Sequence, residues 1–141
     1  MLSFMPPSTA PITPRGRVLA VDDSIVMREL VTVSLEAAGY SVEAVASGAA
    51  ALVAAARESF DAVILDVDMP GMDGMAVGRA LRLDPRTRSS VIAMHTSLEE
   101  AAVRSGFDGY NVFLPKPCDA RRLGECIDRR IRDRRQQPHH A

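Results

Sequence analysis

The chain has 141 residues, of which 47% are hydrophobic and 25% charged, and its net charge is −1. These values fit one globular domain with short tails. The overall charge excludes a molecule that attracts nucleic acid or a membrane surface by bulk charge. No apolar run approaches the ~20 residues of a membrane-spanning helix. Two cysteines, Cys118 and Cys126, are too few for a disulfide framework. We therefore expect a cytoplasmic protein.

Composition also divides the chain into three parts. The first 16 residues contain four Pro and lack the early basic cluster of a signal peptide. They predict a disordered arm over residues 1–15. The apolar segments that follow predict one folded domain over residues 16–133, and the polar end predicts a flexible tail over residues 134–141. No effector domain is expected after the last helix, so the domain is expected to stand alone.

Five short apolar segments predict strands at residues 18–21, 41–46, 62–65, 91–94 and 112–114. The segments between and after them predict helices at residues 24–39, 47–58, 75–83, 98–105 and from 119 onward. The fourth helix is short. In the first helix, four apolar residues recur at helical spacing and are predicted to face the core: Val26, Leu30, Val33 and Ala37.

Alternating strands and helices predict the α/β class, with a parallel sheet and helices on both of its faces. The predicted strands are apolar without alternation, as a sheet covered on both sides requires. The sequence therefore predicts a doubly wound sheet of five parallel strands flanked by five helices.

Polar residues follow four of the predicted strands. Asp22 and Asp23 follow the first strand, Asp66 the third, Thr96 the fourth and Lys116 the fifth. The carboxyl ends of parallel strands share one edge of an open sheet, where ligands bind. We therefore expect three carboxylates, a hydroxyl group and the only Lys of the chain to meet in one cleft.

Three neighbouring carboxylates repel one another unless a cation joins them. A site made of oxygen ligands with a few carboxylates suits Mg²⁺. Asp23 and Asp66 are the predicted direct ligands. Asp22 either binds the ion directly or holds a metal-bound water, and the backbone carbonyl of Asp68 completes the predicted set.

These groups suit phosphoryl transfer. The Asp66 carboxylate can act as a nucleophile that forms an acyl phosphate. Lys116 can supply a positive charge to a phosphoryl oxygen, and Thr96 can donate a hydrogen bond to another. Taken singly, residues 22–24 could be a helix cap and Asp73-Gly74 a simple turn. The joint placement at four strand ends favours a site.

At this point the sequence resembles the receiver domains of two-component response regulators over about residues 16–133. The resemblance rests on four separated motifs in the right order: Val21-Asp22-Asp23-Ser24, residues 65–74, Thr96 and Leu114-Pro115-Lys116-Pro117. It implies a flavodoxin-like sheet with strand order 2-1-3-4-5 and a chemotaxis-regulator-like protein. It also implies that Asp66, with Mg²⁺ bound, is phosphorylated from the phosphohistidine of a histidine kinase or a histidine phosphotransfer protein.

The resemblance assigns further roles. Thr96 and Phe113 correspond to the family's switch pair, although a Phe lacks the hydroxyl group of the more usual Tyr. The Lys116–Pro117 peptide bond is expected to be cis. The string His95-Thr96-Ser97 departs from the usual Thr-Ala and is similar to receivers attached to chemotaxis coupling proteins. A spacing of 30 residues from Asp66 places the family's hydroxyl position at Thr96, whereas a spacing of four residues from Val91 would place it at His95. We expect Thr96 to occupy it.

Other functions compete with this interpretation. Asp66-Val67-Asp68 resembles the nucleophile motif of haloacid-dehalogenase-type phosphatases, but that motif usually ends the first strand. A receiver-fold binding module that does not turn over phosphate is a second alternative. A Rossmann nucleotide binder is disfavoured because no Gly-x-Gly-x-x-Gly follows the first strand.

Partners are predicted from the family and from charge. The family implies a downstream protein partner at the face formed by helix 4, strand 5 and helix 5. Residues 121–135 contain seven Arg and three acidic residues, a local charge of +4. This basic helix is either a solvated face or a site for an anionic partner, such as an acidic protein surface, a cyclic dinucleotide or a nucleic acid. Direct DNA binding and membrane binding are not expected.

Overall fold

The structure is a computed structural model that describes residues 13–137. Five strands and five helices alternate along these residues, as the sequence predicts. The strands are β1 (Arg17–Val21), β2 (Ser41–Val45), β3 (Ala62–Leu65), β4 (Val91–Thr96) and β5 (Val112–Pro115). The helices are α1 (Ile25–Ala37), α2 (Gly48–Arg57), α3 (Gly74–Leu83), α4 (Glu100–Gly106) and α5 (Ala120–Gln136).

The strands form one parallel sheet in the order β2-β1-β3-β4-β5. This order and the flanking helices confirm the doubly wound, flavodoxin-like prediction. The carboxyl ends of β1 and β3, the two central neighbours, lie side by side because Val21 pairs with Leu65. The residues that follow these two strands are therefore brought together by the sheet itself.

The sheet separates two hydrophobic cores. In β4, Ile92 and Met94 contact one core, whereas Val91 and Ala93 contact the other. This alternation is the period of two expected for a strand. All six residues of β4 are buried, which explains why its first four residues are all apolar rather than alternating with polar ones.

The predicted core face of α1 is wrong. Val26 and Val33 are 65% and 60% exposed, whereas Val31, Ser34 and Leu35 are buried. The cause is the close approach of α5: a Cβ added at Gly124 would lie 2.7 Å from the Ser34 backbone oxygen. The small, polar Ser34 fits this contact and donates from its Oγ to the backbone oxygen of Ala120. Because Val31 and Leu35 of the buried face also lie at helical spacing, an apolar pattern alone does not decide between the two faces.

The ends of the chain differ in part from the predicted bounds. α5 reaches Gln136, three residues past the predicted end of the folded domain. Residues 1–12 of the predicted arm and residues 138–141 of the predicted tail lie outside the described residues. Within residues 13–137, no helix combines the length and the apolar character that crossing a membrane requires.

Candidate phosphoryl-acceptor site

The carboxyl edge of the sheet brings three carboxylates together. One side-chain oxygen each of Asp22, Asp23 and Asp66 lies within 4.8 Å of the others. Asp22 and Asp66 are buried, whereas Asp23 is exposed. The predicted cluster is thus present at the ends of β1 and β3, with one wall open to water.

Lys116 reaches this cluster from the end of β5. Its Nζ donates to Asp22 Oδ2 at 2.7 Å and lies 3.4 Å from Asp66 Oδ1. The ammonium group is the only cation within ion-pair distance of these two carboxylates among residues 13–137. The peptide bond between Lys116 and Pro117 is cis.

The Asp66 carboxyl is under electrostatic stress. Burial and, to a smaller extent, the charge of Asp22 raise its pKa, Lys116 opposes both, and the net result is a pKa of about 6. One ammonium therefore compensates three carboxylates incompletely. A divalent cation bound by the same oxygens relieves the remaining repulsion, so the donor set fits Mg²⁺.

Asp22 is fixed by its neighbours. Its Oδ1 accepts a hydrogen bond from the backbone N–H of Ser24 at 2.9 Å, and its backbone oxygen accepts from Arg28 Nη1 at 2.8 Å. Ser24 in turn caps α1 by accepting from Met27 N. The motif is therefore both a helix cap and part of the acidic site, so the two interpretations of residues 22–24 do not exclude each other.

Thr96 and His95 lie on opposite faces of β4. Thr96 is fully buried, and its Oγ1 accepts from the backbone N–H of Leu98 at 3.1 Å. His95 is also buried, and its Nε2 has no hydrogen-bond partner among the described residues. Burial, assisted by the charge of Lys116, lowers the pKa of His95 to about 4. At neutral pH this imidazole is uncharged.

Phe113 lies on β5, next to β4, and belongs to a row of aromatic rings. Its ring centroid is 6.1 Å from that of Tyr110, which lies 6.4 Å from that of Phe107. The Tyr110 hydroxyl donates to Glu100 Oε2 of α4 at 2.6 Å. The aromatic row therefore connects the candidate switch residue with α4.

Gly74 is a site-forming residue that sequence reasoning missed. A Cβ added there would lie 2.0 Å from the backbone oxygen of Asp66. Asp73 precedes it as the N-cap of α3, accepting from Ala76 N at 2.9 Å. The sequence interpretation of Asp73-Gly74 as a turn was thus incomplete, because it could not include an approach of α3 to β3. The predicted ligand residue Asp68 has an exposed side chain, and that side chain is not part of the carboxylate cluster.

The fold and this site define a class: an open parallel α/β domain with a buried Asp, acidic neighbours and a Lys at its carboxyl edge. The family model described as response regulator receiver domain matches residues 18–128. The chain therefore belongs to the response regulator receiver domain family, as the sequence motifs predicted. This membership replaces the phosphatase and Rossmann alternatives.

Individual relatives agree with this family. The chain is 41% identical to the response regulator PleD of Caulobacter vibrioides over 106 residues, which cover 74% of this chain and 23% of that protein. It is 38% identical to a protein-glutamate methylesterase/protein-glutamine glutaminase of Paramagnetospirillum magneticum over 128 residues, covering 86% of this chain and 33% of that protein. The chain thus spans about a quarter to a third of the length of these two relatives.

A solved structure also matches. The chemotaxis response regulator CheY4 of Vibrio cholerae superimposes with a TM-score of 0.75 at 36% identity, covering 80% of this chain and 96% of that chain. The likeness extends over almost the whole of that protein, so the match concerns the complete receiver fold.

Proposed function

We propose that the chain accepts a phosphoryl group on Asp66 from the phosphohistidine of a histidine kinase or a histidine phosphotransfer protein. The folded unit carrying this function begins near residue 16 and includes the whole of α5, which ends at Gln136. The observation that carries the proposal is the contact set of Asp66: a buried carboxylate, within 4.8 Å of two others, with Lys116 Nζ 3.4 Å away. Family membership supports the same role.

In the proposed reaction, a carboxylate oxygen of Asp66 attacks the phosphorus atom of the donor. The phosphorus–nitrogen bond breaks, and the imidazole leaves with the electron pair and takes up a proton. The product is an acyl phosphate on Asp66. Attack of water on phosphorus later returns the carboxylate and inorganic phosphate, so the chain promotes its own phosphorylation and slow dephosphorylation.

The acidic residues and Lys116 divide the electrostatic work. Asp22, Asp23, Asp66 and the backbone carbonyl of Asp68 are the proposed holders of Mg²⁺, which when bound neutralises charge on the transferring oxygens. Lys116 is positioned by Asp22 at 2.7 Å and is proposed to contact a phosphoryl oxygen. Such a charge-assisted hydrogen bond is stronger than a neutral one.

Thr96 and Phe113 are the proposed switch. The Thr96 hydroxyl accepts from Leu98 N, so its proton is free to be donated to a phosphoryl oxygen. Movement of Thr96 toward the phosphoryl group leaves space on its side of the sheet for the Phe113 ring. The contact of Phe113 with Tyr110, which is hydrogen-bonded to α4, supports the α4–β5–α5 face as the surface read by a downstream protein.

Acetyl phosphate tests the acceptor without a kinase. Incubation with Mg²⁺ is expected to raise the intact mass by one phosphoryl group in the wild-type protein and to leave Asp66→Asn unchanged. EDTA is expected to abolish the increase. A binding module that does not turn over phosphate predicts no increase in any sample. Equal labelling of Asp66→Asn would place the nucleophile elsewhere.

A further inference from the structure

A groove runs along the outer edge of β5, opposite β4, its only neighbour in the described sheet. The groove has a volume of about 280 Å³ and is lined by all four residues of β5, by the loop after it, and by Arg122 and Cys126 of α5. A depression of about 150 Å³ continues it past these two residues to Arg129. We call the two together the β5–α5 groove.

The arginines of this groove are not neutralised within residues 13–137. Arg122 and Arg129 are exposed and form no ion pair there. By contrast, Arg121 and Arg132 of the same helix pair with Glu125 at 3.0 Å and with Asp128 at 3.1 Å. The groove therefore presents two uncompensated positive charges.

The acidic groups that line the groove already have donors. The carboxylate of Asp119 accepts from the backbone N–H of Arg121 at 2.8 Å and caps α5. The carboxylate of Glu125 is held by the Arg121 side chain. Neither is paired with Arg122 or Arg129, so these two arginines are available to bind an external anion.

The opposite wall of the groove is a strand edge. β5 pairs with β4 on one side only, so part of its backbone N–H and C=O groups faces outward. An extended peptide can pair with such an edge through main-chain hydrogen bonds. Pro115 lacks an N–H, which confines this pairing to the preceding residues of the strand.

We infer that the β5–α5 groove binds an extended acidic segment of a partner protein. Its backbone pairs with the free edge of β5, and its carboxylates pair with Arg122 and Arg129. These arginines are seven positions apart, which corresponds to about 10 Å along α5. Acidic residues two or four positions apart on an extended chain lie about 7 or 13 Å apart, a range that Asp and Glu side chains can match.

The inference adds a partner to the proposed function. Only the regulation of this binding rests on the proposed function. Phe113 lies in the wall of the groove, so its movement after phosphorylation changes the groove's shape. The charge and the free strand edge do not depend on phosphorylation. Binding of an acidic segment and its regulation can therefore be tested separately.

The test measures fluorescence anisotropy of a labelled octapeptide of alternating Glu and Val, with an alternating Lys and Val peptide as the charge control. The Glu peptide is expected to bind, and the Lys peptide is not. R122Q/R129Q is expected to weaken binding on the order of tenfold, the scale of two exposed charge pairs. The matched control R86Q/R88Q removes two exposed arginines from the turn after α3, outside the groove, and is expected to change affinity by less than about threefold.

When the Glu peptide binds, the largest changes in the protein's amide NMR shifts are expected at residues 112–114. Equal weakening by both double variants, or shifts centred on another face, would overturn the inference. So would a single-stranded DNA oligomer that binds more tightly than the Glu peptide with the same dependence on Arg122 and Arg129, because the occupant is then a nucleic acid. Circular dichroism of both variants separates loss of binding from loss of folding.

Beryllofluoride separates this inference from the proposed function. If both hold, beryllofluoride with Mg²⁺ changes the affinity of the wild-type protein for the Glu peptide and does not change that of Asp66→Asn. If the acceptor function fails, the peptide still binds with the same arginine dependence, and beryllofluoride has no effect. If only the groove inference fails, acetyl phosphate still labels Asp66.

Discussion

At the scale of single residues, Asp66 is the group whose pKa is shifted by both acidic and basic neighbours. Burial and the charge of Asp22 raise its pKa to about 6, while Lys116 lowers it. A side chain chosen only for stability would not be a buried carboxylate beside two others, because the charged form is disfavoured there. At neutral pH the site keeps Asp66 ionised and only partly compensated by Lys116, which suits a nucleophile that acquires a cation.

Asp66→Asn is therefore expected to stabilise the metal-free protein at pH 7. In the wild type, the folded-state pKa of about 6 exceeds the ordinary value of 3.8. The stability that the neutral carboxyl contributes is present below pH 3.8 and is lost as the pH rises through 6. The Asn variant should gain up to about 1–3 kcal/mol above pH 6, and the gain should disappear toward pH 4.

Urea unfolding in EDTA between pH 4 and 8 measures this difference. Asp73→Asn is the matched control, because it removes one acidic charge from the same edge and Asn caps a helix as well as Asp does. A pH-independent gain in Asp66→Asn, or a loss of stability at pH 7, would contradict the charge argument.

Asp23 is expected to contribute more to Mg²⁺ binding than Asp73. Asp23→Ala removes one of the three clustered carboxylates and should weaken Mg²⁺ binding on the order of 1–3 kcal/mol. Asp73→Asn should have little effect, because that side chain caps α3. Titration of Mg²⁺ against amide NMR shifts gives both affinities, and a larger loss in Asp73→Asn would show that the ligand assignment is wrong.

At the scale of elements, the sequence predicts the site better than it predicts the packing. Each site residue follows an apolar run, and the sheet brings strand ends together whatever the details of the helices. The core face of α1 depends instead on how closely α5 approaches at Gly124. The role of Gly74 depends likewise on its distance from the Asp66 backbone oxygen. Both are tertiary contacts that one-dimensional patterns do not contain.

In β4, successive side chains lie on opposite faces of the sheet, and this alternation indicates which residue is the switch hydroxyl. Thr96 follows Ile92 and Met94 on the face that includes Phe113, whereas His95 follows Val91 and Ala93 on the other. Only Thr96 is on the side that Phe113 can enter. The alternation therefore supports Thr96 as the moving hydroxyl and leaves His95 as a buried, uncharged packing residue.

Thr96→Ala is expected to accept a phosphoryl group and to lose the shape change, because no hydroxyl follows the new charge. Amide NMR shifts with and without beryllofluoride should lose their changes around Phe113 and α5 in Thr96→Ala. His95→Gln, which keeps a polar side chain of similar volume on the opposite face, should retain them. Full changes in Thr96→Ala together with their loss in His95→Gln would reverse the assignment.

At the scale of the whole molecule, acidic and basic side chains are concentrated in different places. The carboxyl edge of the sheet carries the acidic cluster, whereas α5 carries seven of the chain's 17 basic residues, with a local excess of +4 over residues 121–135. Part of this charge is used to hold the fold: Arg134 and Arg135 reach Asp61, and Arg132 pairs with Asp128. Two further arginines, Arg122 and Arg129, border the β5–α5 groove, which lies beside the candidate switch residue on β5.

The acidic cluster also couples metal binding to the stability of the entire domain. It joins residues that follow β1 and β3, the central strands of the sheet, and these residues are separated when the chain unfolds. Mg²⁺ that binds the folded state alone must therefore stabilise it. At a concentration ten times its dissociation constant, the ion should raise the free energy of unfolding by about 1.4 kcal/mol.

For a domain of this size, that change corresponds to a rise in melting temperature of about 3–6 °C. Thermal unfolding with MgCl₂, compared with NaCl at the same ionic strength, measures it without reference to phosphorylation. Asp23→Ala at the same MgCl₂ concentration should show a much smaller rise, because the unfolded chain and the bulk ionic strength are nearly unchanged while the affinity falls. An equal rise of the melting temperature in NaCl would show that the effect is general charge screening. An equal rise in Asp23→Ala would show that the ion does not bind at the acidic cluster.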